Sequence, residues 1–233
     1  RTVSRLRTIE EMKDDFVSNM THELKTPIAI AYSANDALLN YDTVNDPQKK
    51  VTYLNIANKQ LKRLGELVEN ILAMSMERRK IMKLKPEEIQ LHTFVDEIAA
   101  AQRMRGEKNI RINVNIDKGI MVEADRTHLA NVLNNLIDNA IKYSGDSVEI
   151  TIVGDNKKLS VSDNGIGIPS KSIPYLFNKF YRVPHGNRQD VRGYGIGLYY
   201  VKSILDKMEW AIEVKSSEGG GSVFTIKFSK DGQ

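Results

Sequence analysis

The sequence predicts two parts: an amino-terminal antiparallel helical hairpin that forms a dimeric four-helix bundle, and an α+β domain, an α/β sandwich with helices on one face of a mixed sheet. Up to about residue 80, apolar residues recur at helical spacing and Gly65 is the only glycine. Beyond that point, the sequence has alternating strand-like segments and glycine clusters. We therefore assign residues 1–80 to the hairpin and residues 81–233 to the second domain.

The composition excludes several classes of protein. The 233 residues are 41% hydrophobic and 27% charged, as in an ordinary soluble domain. The net charge of +4 is small and the basic residues are scattered, so we expect no nucleic acid partner. There is no cysteine for disulfides or thiolate chemistry, and no run of about 20 apolar residues that could span a bilayer. Because the chain begins with Arg1, we expect it to be part of a longer protein.

Two amphipathic helices are predicted in the first part. In the first helix, Phe16, Met20, Leu24 and Ile28 recur every four residues, and a turn rich in Asn and Asp follows at residues 40–47. In the second helix, apolar residues alternate at spacings of three and four, as in a coiled coil: Leu54, Ala57, Leu61, Leu64, Val68 and Ile71. One hairpin cannot cover both apolar seams, so we expect a homodimer.

The second part mixes helices and strands. Helices are predicted over residues 91–105, over 125–143 with Asp125 as the N-cap, and from Gly195 to about Met208. Strands are predicted over 110–116, 120–123, 147–153 and 159–162, with two more flanking the glycine run 219–221. The strands 147–153 and 159–162 are expected to form a hairpin around residues 154–158.

His22 lies in the first predicted helix, about 180° around from the centre of the apolar stripe, which excludes a core position for its ring. Two neighbours distinguish it from an idle surface histidine. Glu23 can hold one ring N–H and leave the other nitrogen free as a nucleophile. Pro27 cannot donate to the carbonyl of Glu23, and a proline inside a helix costs about 3 kcal/mol. Its presence indicates a bend in the helix that serves a function.

An asparagine-rich helix carries a second candidate site, in the stretch NVLNNLIDNAIKYS at residues 131–144. Asn135, Asn139 and Lys142 fall on one face beside the apolar face. Neutral amide oxygens suit Mg²⁺, which prefers oxygen ligands, and Lys142 suits phosphate. The alternative is an ordinary polar stripe.

Two glycine-bearing segments follow. In SDNGIGIP, residues 162–169, Gly165 and Gly167 permit close approach of a ligand, and Asp163 offers an acceptor suited to an exocyclic amine. In GYGIGLYYVKSI, residues 193–204, glycines open a helix whose first N–H groups favour phosphate. The alternatives are a plain turn at a strand end and a glycine loop before a core helix.

The run HELKTP, residues 22–27, resembles the H box of sensor histidine kinases. This resemblance implies that His22 is the phosphoacceptor and that Glu23 is its acid–base partner. It also implies that Thr26 helps to place water when the enzyme acts as a phosphatase on its partner.

The later segments, in this order, resemble the N, G1 and G2 boxes of the ATP-binding fold shared by histidine kinases, DNA gyrase, Hsp90 chaperones and mismatch-repair ATPases. Between them, YLFNKFYRV at residues 175–183 resembles the histidine kinase F box. The resemblance implies that Asn139 and Asn135 hold Mg²⁺. It implies ATP contacts from Asn135, Asn139, Lys142, Tyr143, Asp163, Gly165, Gly167, Arg182, Gly193, Gly195, Gly197 and Leu198.

Tyr194 departs from the G2 pattern, in which a small residue is common, and the polar stretch 184–192 is expected to be a lid over ATP. The joint at residues 79–86 is expected to be a hinge between the two parts.

The resemblance implies ATP-dependent autophosphorylation of His22, followed by transfer to an aspartate of a response-regulator receiver domain. It implies a cytosolic piece of a membrane-bound bacterial sensor, in which only an upstream region meets the membrane. Two alternatives stay open: an ATPase or chaperone-like member of the same fold, and a dimeric ATP-binding scaffold or phosphatase without kinase activity.

Overall fold

The computed structural model describes residues 2–40, 46–78, 83–104, 108–184 and 195–229, with side chains except at 2–16, 19, 23, 66 and 69–78. The chain divides into two compact units, Arg1–Met82 and Lys83–Gln233. Among the described helices, none is both long enough and apolar enough to cross a membrane.

The first unit consists of two long helices packed against each other, α1 (Thr2–Asn40) and α2 (Pro47–Arg78). Asp46 caps α2, because its Oδ1 accepts hydrogen bonds from Gln48 N at 3.0 Å and Lys49 N at 3.2 Å. The predicted hairpin of helices is confirmed, and most of the turn expected at 40–47 lies outside the described residues.

The apolar stripe expected on α1 is partly wrong. Met20 is buried, but Ile28 is 52% exposed, and Pro27 is buried beside it. The reason is geometric: each residue turns the helix by about 100°, so Ile28 lies about 80° around from Met20 rather than directly above it. Phe16 lies in α1, and its side chain is outside the described set.

The second unit contains three helices and seven strands among the described residues: β1 (Glu87–Gln90), α3 (Leu91–Arg103), β2 (Asn109–Ile116), β3 (Met121–Ala124), α4 (Arg126–Lys142), β4 (Ser147–Gly154), β5 (Lys158–Asp163), α5 (Gly197–Lys207), β6 (Ala211–Ser216) and β7 (Ser222–Lys227). A short 3-10 turn spans Ile173–Tyr175. The sequence analysis missed β1, whose four residues EEIQ bury only Ile89 and pair with β3.

The main sheet is mixed, with strand order β2-β4-β5-β7-β6. The β2–β4 pair is parallel and the other neighbours are antiparallel, which confirms the predicted β4–β5 hairpin. Along β4, Val148, Ile150 and Ile152 are fully buried, whereas Glu149 and Val153, which point to the opposite face, are exposed. The helices therefore cover one face of the sheet, as expected.

The core of the second unit lies between this sheet face and the three helices. Each buried aliphatic side chain contributes about 1.5–3 kcal/mol. Its fully buried members include Leu91, Val95, Leu129, Val132, Leu133, Ile137, Leu159, Val201, Leu205 and Ile226.

Both ends of α4 are held by side chains. At the start, Asp125 Oδ1 accepts from His128 N at 3.0 Å, as the predicted cap requires. Its other oxygen accepts from Lys85 N, and these backbone N–H donors outweigh the effect of burial and lower the pKa of Asp125. At the end, Lys108 Nζ donates to Ile141 O at 2.7 Å and to Ser144 O at 2.8 Å. A cation at this position also complements the helix dipole.

Replacing Lys108 with methionine should therefore destabilise the second unit. The change keeps an apolar stem but leaves two helix-end carbonyls without their charged donor, and we expect a loss of roughly 2 kcal/mol in the free energy of unfolding. Trp210 is the only tryptophan and is 6% exposed, so its fluorescence during urea denaturation reports on this unit.

Lys118→Met is the matched control, because the Lys118 side chain is exposed in a turn. We expect this control to change the free energy of unfolding by less than about 0.5 kcal/mol. Equal losses in both variants would contradict the proposed role of Lys108 at the helix end.

Candidate functional site

The polar face of α4 presents an oriented amide. Asn135 and Asn139 are half-buried, and Lys142 is exposed. Asn135 Nδ2 donates to Asn131 O at 2.8 Å. This hydrogen bond orients the amide and leaves its oxygen, Oδ1, available for another contact. Its Oδ1 lies only 2.6 Å from the point where a Cβ on Gly197 would stand, so the amide oxygen faces the start of α5.

The start of α5 is built from backbone rather than side chains. The helix begins at Gly197, and Gly195, two residues earlier, has φ +65°, a conformation that favours glycine. The first N–H groups of an α-helix have no intrahelical partner and attract anions. Leu198 is half-buried in the first turn, while Gly193 and Tyr194 lie outside the described residues.

The loop after β5 is joined to the other end of α4. Ile166 N donates to Tyr143 O at 3.0 Å, and a Cβ on Gly165 would lie 2.9 Å from that same carbonyl oxygen. Gly167 has φ +71°, and a Cβ there would lie 1.8 Å from Ser217 O. Glycine at 165 and 167 is therefore required by close backbone contacts, rather than by a simple turn.

Asp163 ends β5 with its carboxylate held by this loop. Gly165 N donates to Asp163 Oδ1 at 2.8 Å. Burial raises the pKa of Asp163 above its ordinary value, and backbone N–H groups of Gly165 and Ser222 partly oppose that shift. A half-buried acceptor beside a glycine can recognise an N–H donor of a ligand.

The segment 175–184 approaches both α4 and α5. Phe180 N donates to Gly195 O at 2.9 Å, and Phe180 has φ +68°, a strained conformation for phenylalanine. Burial raises the pKa of the Tyr143 hydroxyl, and the positive charge of Arg182 partly opposes the shift, so the two lie close enough to interact. Four of the segments singled out in the sequence therefore meet here: α4 itself, the loop after β5, residues 175–184 and the start of α5.

A half-buried polar contact that sequence reasoning missed joins α4 to α5. His128 Nδ1 lies 3.0 Å from the hydroxyl oxygen of Tyr200, and Asn131 Nδ2 lies 3.4 Å from it. Burial raises the pKa of Tyr200. The contact lies one helical turn from Gly197 and Asn135, and it can fix the spacing between the two helices. Nothing in the sequence indicates it, because its residues are 72 positions apart.

His22 is exposed on α1, about 200° around from the buried Met20, as expected. Thr26 Oγ1 donates to His22 O at 3.1 Å, and α1 continues through Pro27. The side chain of Glu23 lies outside the described set, so its expected contact with His22 stays a prediction.

A metal at α4 would have to be bound by amide oxygens. Among the described residues, no cluster of three or more His, Cys, Asp or Glu side chains could hold a metal ion. The orientation of Asn135, with its nitrogen engaged and its oxygen turned away from Asn131, fits a hard cation such as Mg²⁺.

Two family descriptions match the chain. Residues 12–79 match the His Kinase A (phospho-acceptor) domain. Residues 124–232 match the histidine kinase-, DNA gyrase B-, and HSP90-like ATPase domain. The first range contains His22 in the first unit, and the second contains all four segments that meet around α4.

Curated sensor proteins match nearly the whole chain. The sensor protein RprX of Bacteroides fragilis is 34% identical over 96% of this chain and 45% of its own length. The phosphate regulon sensor protein PhoR of Pseudomonas aeruginosa is 30% identical over 98% of this chain and 53% of its own length. The chain thus spans about half the length of these relatives.

Solved structures agree with the fold. The Acinetobacter baumannii histidine kinase AdeS has a TM-score of 0.63 and 26% identity, over 90% of this chain and 98% of that one. The histidine kinase ThkA, solved in complex with the response regulator protein TrrA, has a TM-score of 0.59 and 26% identity, over 95% of this chain and 63% of that one. With a phosphoacceptor domain followed by an ATPase domain, the chain belongs to the sensor histidine kinases.

Proposed function

We propose that this chain transfers the γ-phosphoryl group of ATP to His22 and then passes it to an aspartate of a response-regulator receiver domain. In this proposal residues 1–80 serve dimerisation and phosphotransfer, and residues 81–233 serve catalysis. The observation that carries the proposal is the meeting of four segments around α4: Gly197 at Asn135, Gly165 at Tyr143, Phe180 at Gly195, and Arg182 near Tyr143.

Different residues of the site contact different parts of the nucleotide. Asp163 accepts a hydrogen bond from the exocyclic amine of adenine, and the backbone of Gly165 and Gly167 lets the base come close. The first N–H groups of α5 lie against the phosphates, with Gly193, Gly195 and Leu198 shaping that end of the pocket. Lys142 and Arg182 supply positive charge to the transferring group.

Asn135 and Asn139 are the proposed ligands of Mg²⁺. When bound, the ion neutralises charge on the phosphate oxygens. Asn135 enters this role already oriented, because its Nδ2 is committed to Asn131 O and its Oδ1 is free. A preformed ligand avoids the entropic cost of ordering the side chain during binding.

The transfer itself is a displacement at phosphorus. A ring nitrogen of His22 forms a P–N bond to the γ-phosphorus while the bond to the β–γ bridging oxygen breaks, which releases ADP. Glu23 accepts the ring proton. In the separate phosphatase reaction, Thr26 helps to place the water that hydrolyses the acyl phosphate of the partner and releases inorganic phosphate. In the second transfer the P–N bond breaks and an aspartate of the receiver becomes an acyl phosphate.

Two partners are proposed. Leu54, Leu61 and Val68 recur every seven residues on α2 and are 48%, 59% and 46% exposed in the single chain. A seam of this spacing is covered when a second copy completes a four-helix bundle. The receiver domain is the other partner, by analogy with ThkA and TrrA. We also propose that the chain is the cytosolic piece of a membrane-bound sensor.

Incubation with γ-labelled ATP and Mg²⁺ tests the proposed function. We expect label on the protein that survives alkali and is lost in acid, as a phosphohistidine requires, and no label on His22→Ala. ATP hydrolysis without retained label would instead favour an ATPase of the same fold. Nucleotide binding and receiver binding without label would favour the scaffold or phosphatase alternative.

Replacing Gly197 with alanine should weaken Mg²⁺-dependent nucleotide binding. The added Cβ would stand 2.6 Å from Asn135 Oδ1 and must displace that oxygen. We expect roughly a tenfold loss of affinity for Mg²⁺–ATP, about 1.4 kcal/mol, measured with a fluorescent ATP analogue. The fold should survive, because alanine is the better helix former by about 1 kcal/mol.

Gly145→Ala is the control for this measurement, because a Cβ there has open space around it and Gly145 follows α4 closely. Its affinity should equal that of the unchanged protein. If Gly197→Ala bound Mg²⁺–ATP as tightly as Gly145→Ala, Asn135 would not be a ligand of the ion.

The raised pKa of Asp163 gives nucleotide binding a pH dependence. The ionised carboxylate is the stronger acceptor for the adenine amine, and burial raises its pKa, so the protonation that weakens it begins at a higher pH than for an ordinary aspartate. Affinity should therefore fall as the pH is lowered toward that raised pKa. Asp163→Asn should bind more weakly and lose this part of the pH dependence.

The nucleotide phosphates also titrate, but they affect the unchanged protein and Asp163→Asn equally. The difference between the two pH profiles therefore reports on Asp163. Parallel pH profiles for the unchanged protein and Asp163→Asn would rule out Asp163 as the adenine acceptor.

A further inference from the structure

A cavity of about 510 Å³ lies in the second unit, away from the nucleotide site. It is bounded by β3, by the corner between α5 and β6, and by Leu84 and Pro86 ahead of β1. None of the proposed nucleotide-binding residues lines it. A volume of roughly 300–1,000 Å³ is the usual range for a small-molecule site.

Lys207 places a positive charge without a hydrogen-bond partner at this cavity, among the described residues. Its Nζ is buried and has no hydrogen-bond partner among the residues described in the second unit. An ammonium group carries three donors, and leaving a buried donor unpaired is unfavourable. The lysine side chain has a flexible four-carbon stem, so the ammonium can turn toward an acceptor inside the cavity.

The nearby carboxylates do not pair with the Lys207 ammonium. Asp125 lines the cavity, but its oxygens already accept from Lys85 N and His128 N. Glu123 and Glu209 are exposed, and neither forms an ion pair with Lys207. The Lys207 ammonium can therefore gain a hydrogen-bond acceptor from a bound ligand.

The rest of the lining favours a flat apolar body. The rings of Trp210 and Phe228 lie 4.7 Å apart between centroids, and Met121 and Pro86 add apolar surface. The corner that carries Trp210 is defined by the backbone: Trp210 N donates to Leu205 O at 2.8 Å, and Glu209 takes φ +60°. An aromatic ring of a ligand can stack or meet edge to face with such a pair.

We propose that this cavity is a second ligand site, which binds a small aromatic carboxylate with its charge on Lys207 and its ring against Trp210. The site is independent of ATP binding and of phosphorylation at His22. Leu84 and Pro86 belong to the first four residues of the second unit, so a bound ligand contacts the beginning of that unit.

The chain carries its own reporter for this site, because Trp210 is the only tryptophan. The probes are 3-phenylpropionate and its neutral amide, each titrated into the full chain with saturating ADP present, while tryptophan emission is recorded. We expect a saturable change with the acid and binding at least about tenfold weaker with the amide, since the amide lacks the charge that Lys207 requires.

Lys207→Met should remove the preference for the acid, whereas Lys215→Met, which removes an exposed charge from β6, should keep it. Lys207→Met should fold and should unfold at the same or a higher urea concentration, because it replaces a buried unpaired ammonium with an apolar group. Equal binding of acid and amide, an unchanged preference in Lys207→Met, or no binding of the acid while ADP is present would each overturn the proposal.

Discussion

The absence of a Cβ at two positions lets α4 contact the loops on both sides of the proposed nucleotide site. At Gly197 a Cβ would stand 2.6 Å from Asn135 Oδ1, and at Gly165 it would stand 2.9 Å from Tyr143 O. A real Cβ essentially never lies this close to another heavy atom, so a side chain at either position would force its neighbour to move. The helix α4 is therefore the common support of the site: its middle meets the start of α5, and its end meets the loop after β5. Lys108 and Asp125 in turn hold its two ends.

The two units meet different physical demands. The second has a continuous core between one sheet face and three helices, which gives the proposed nucleotide site a packed support. The first exposes large apolar side chains, Leu54, Leu61 and Val68, at the spacing of a helical bundle. His22 shares this exposed setting, and under the proposed function its ring is reached both by the nucleotide and by the receiver. The proposed nucleotide site and the proposed acceptor lie in separate units of the chain, which suits transfer to two successive partners.

Local periodicity was sufficient for the long elements. The apolar spacing around Leu133 predicted α4, and Asp125 predicted its start, because caps and amphipathic faces are local properties. Local periodicity failed for β1, which has a single buried residue. It also failed for Ile28, because residues spaced every four positions move progressively around the helix surface. The convergence of the four segments came only from the resemblance, since contacts between distant residues leave no local pattern. Lys108 and the pair His128–Tyr200 belong to this class.

The most direct test of the account is a structure of the chain with a non-hydrolysable ATP analogue and Mg²⁺. The account predicts Asn135 Oδ1 as a ligand of the ion at about 2.1 Å, and an adenine amine within about 3.2 Å of Asp163. A nucleotide bound away from α4, or one whose metal is held without Asn135 and whose adenine does not reach Asp163, would contradict it.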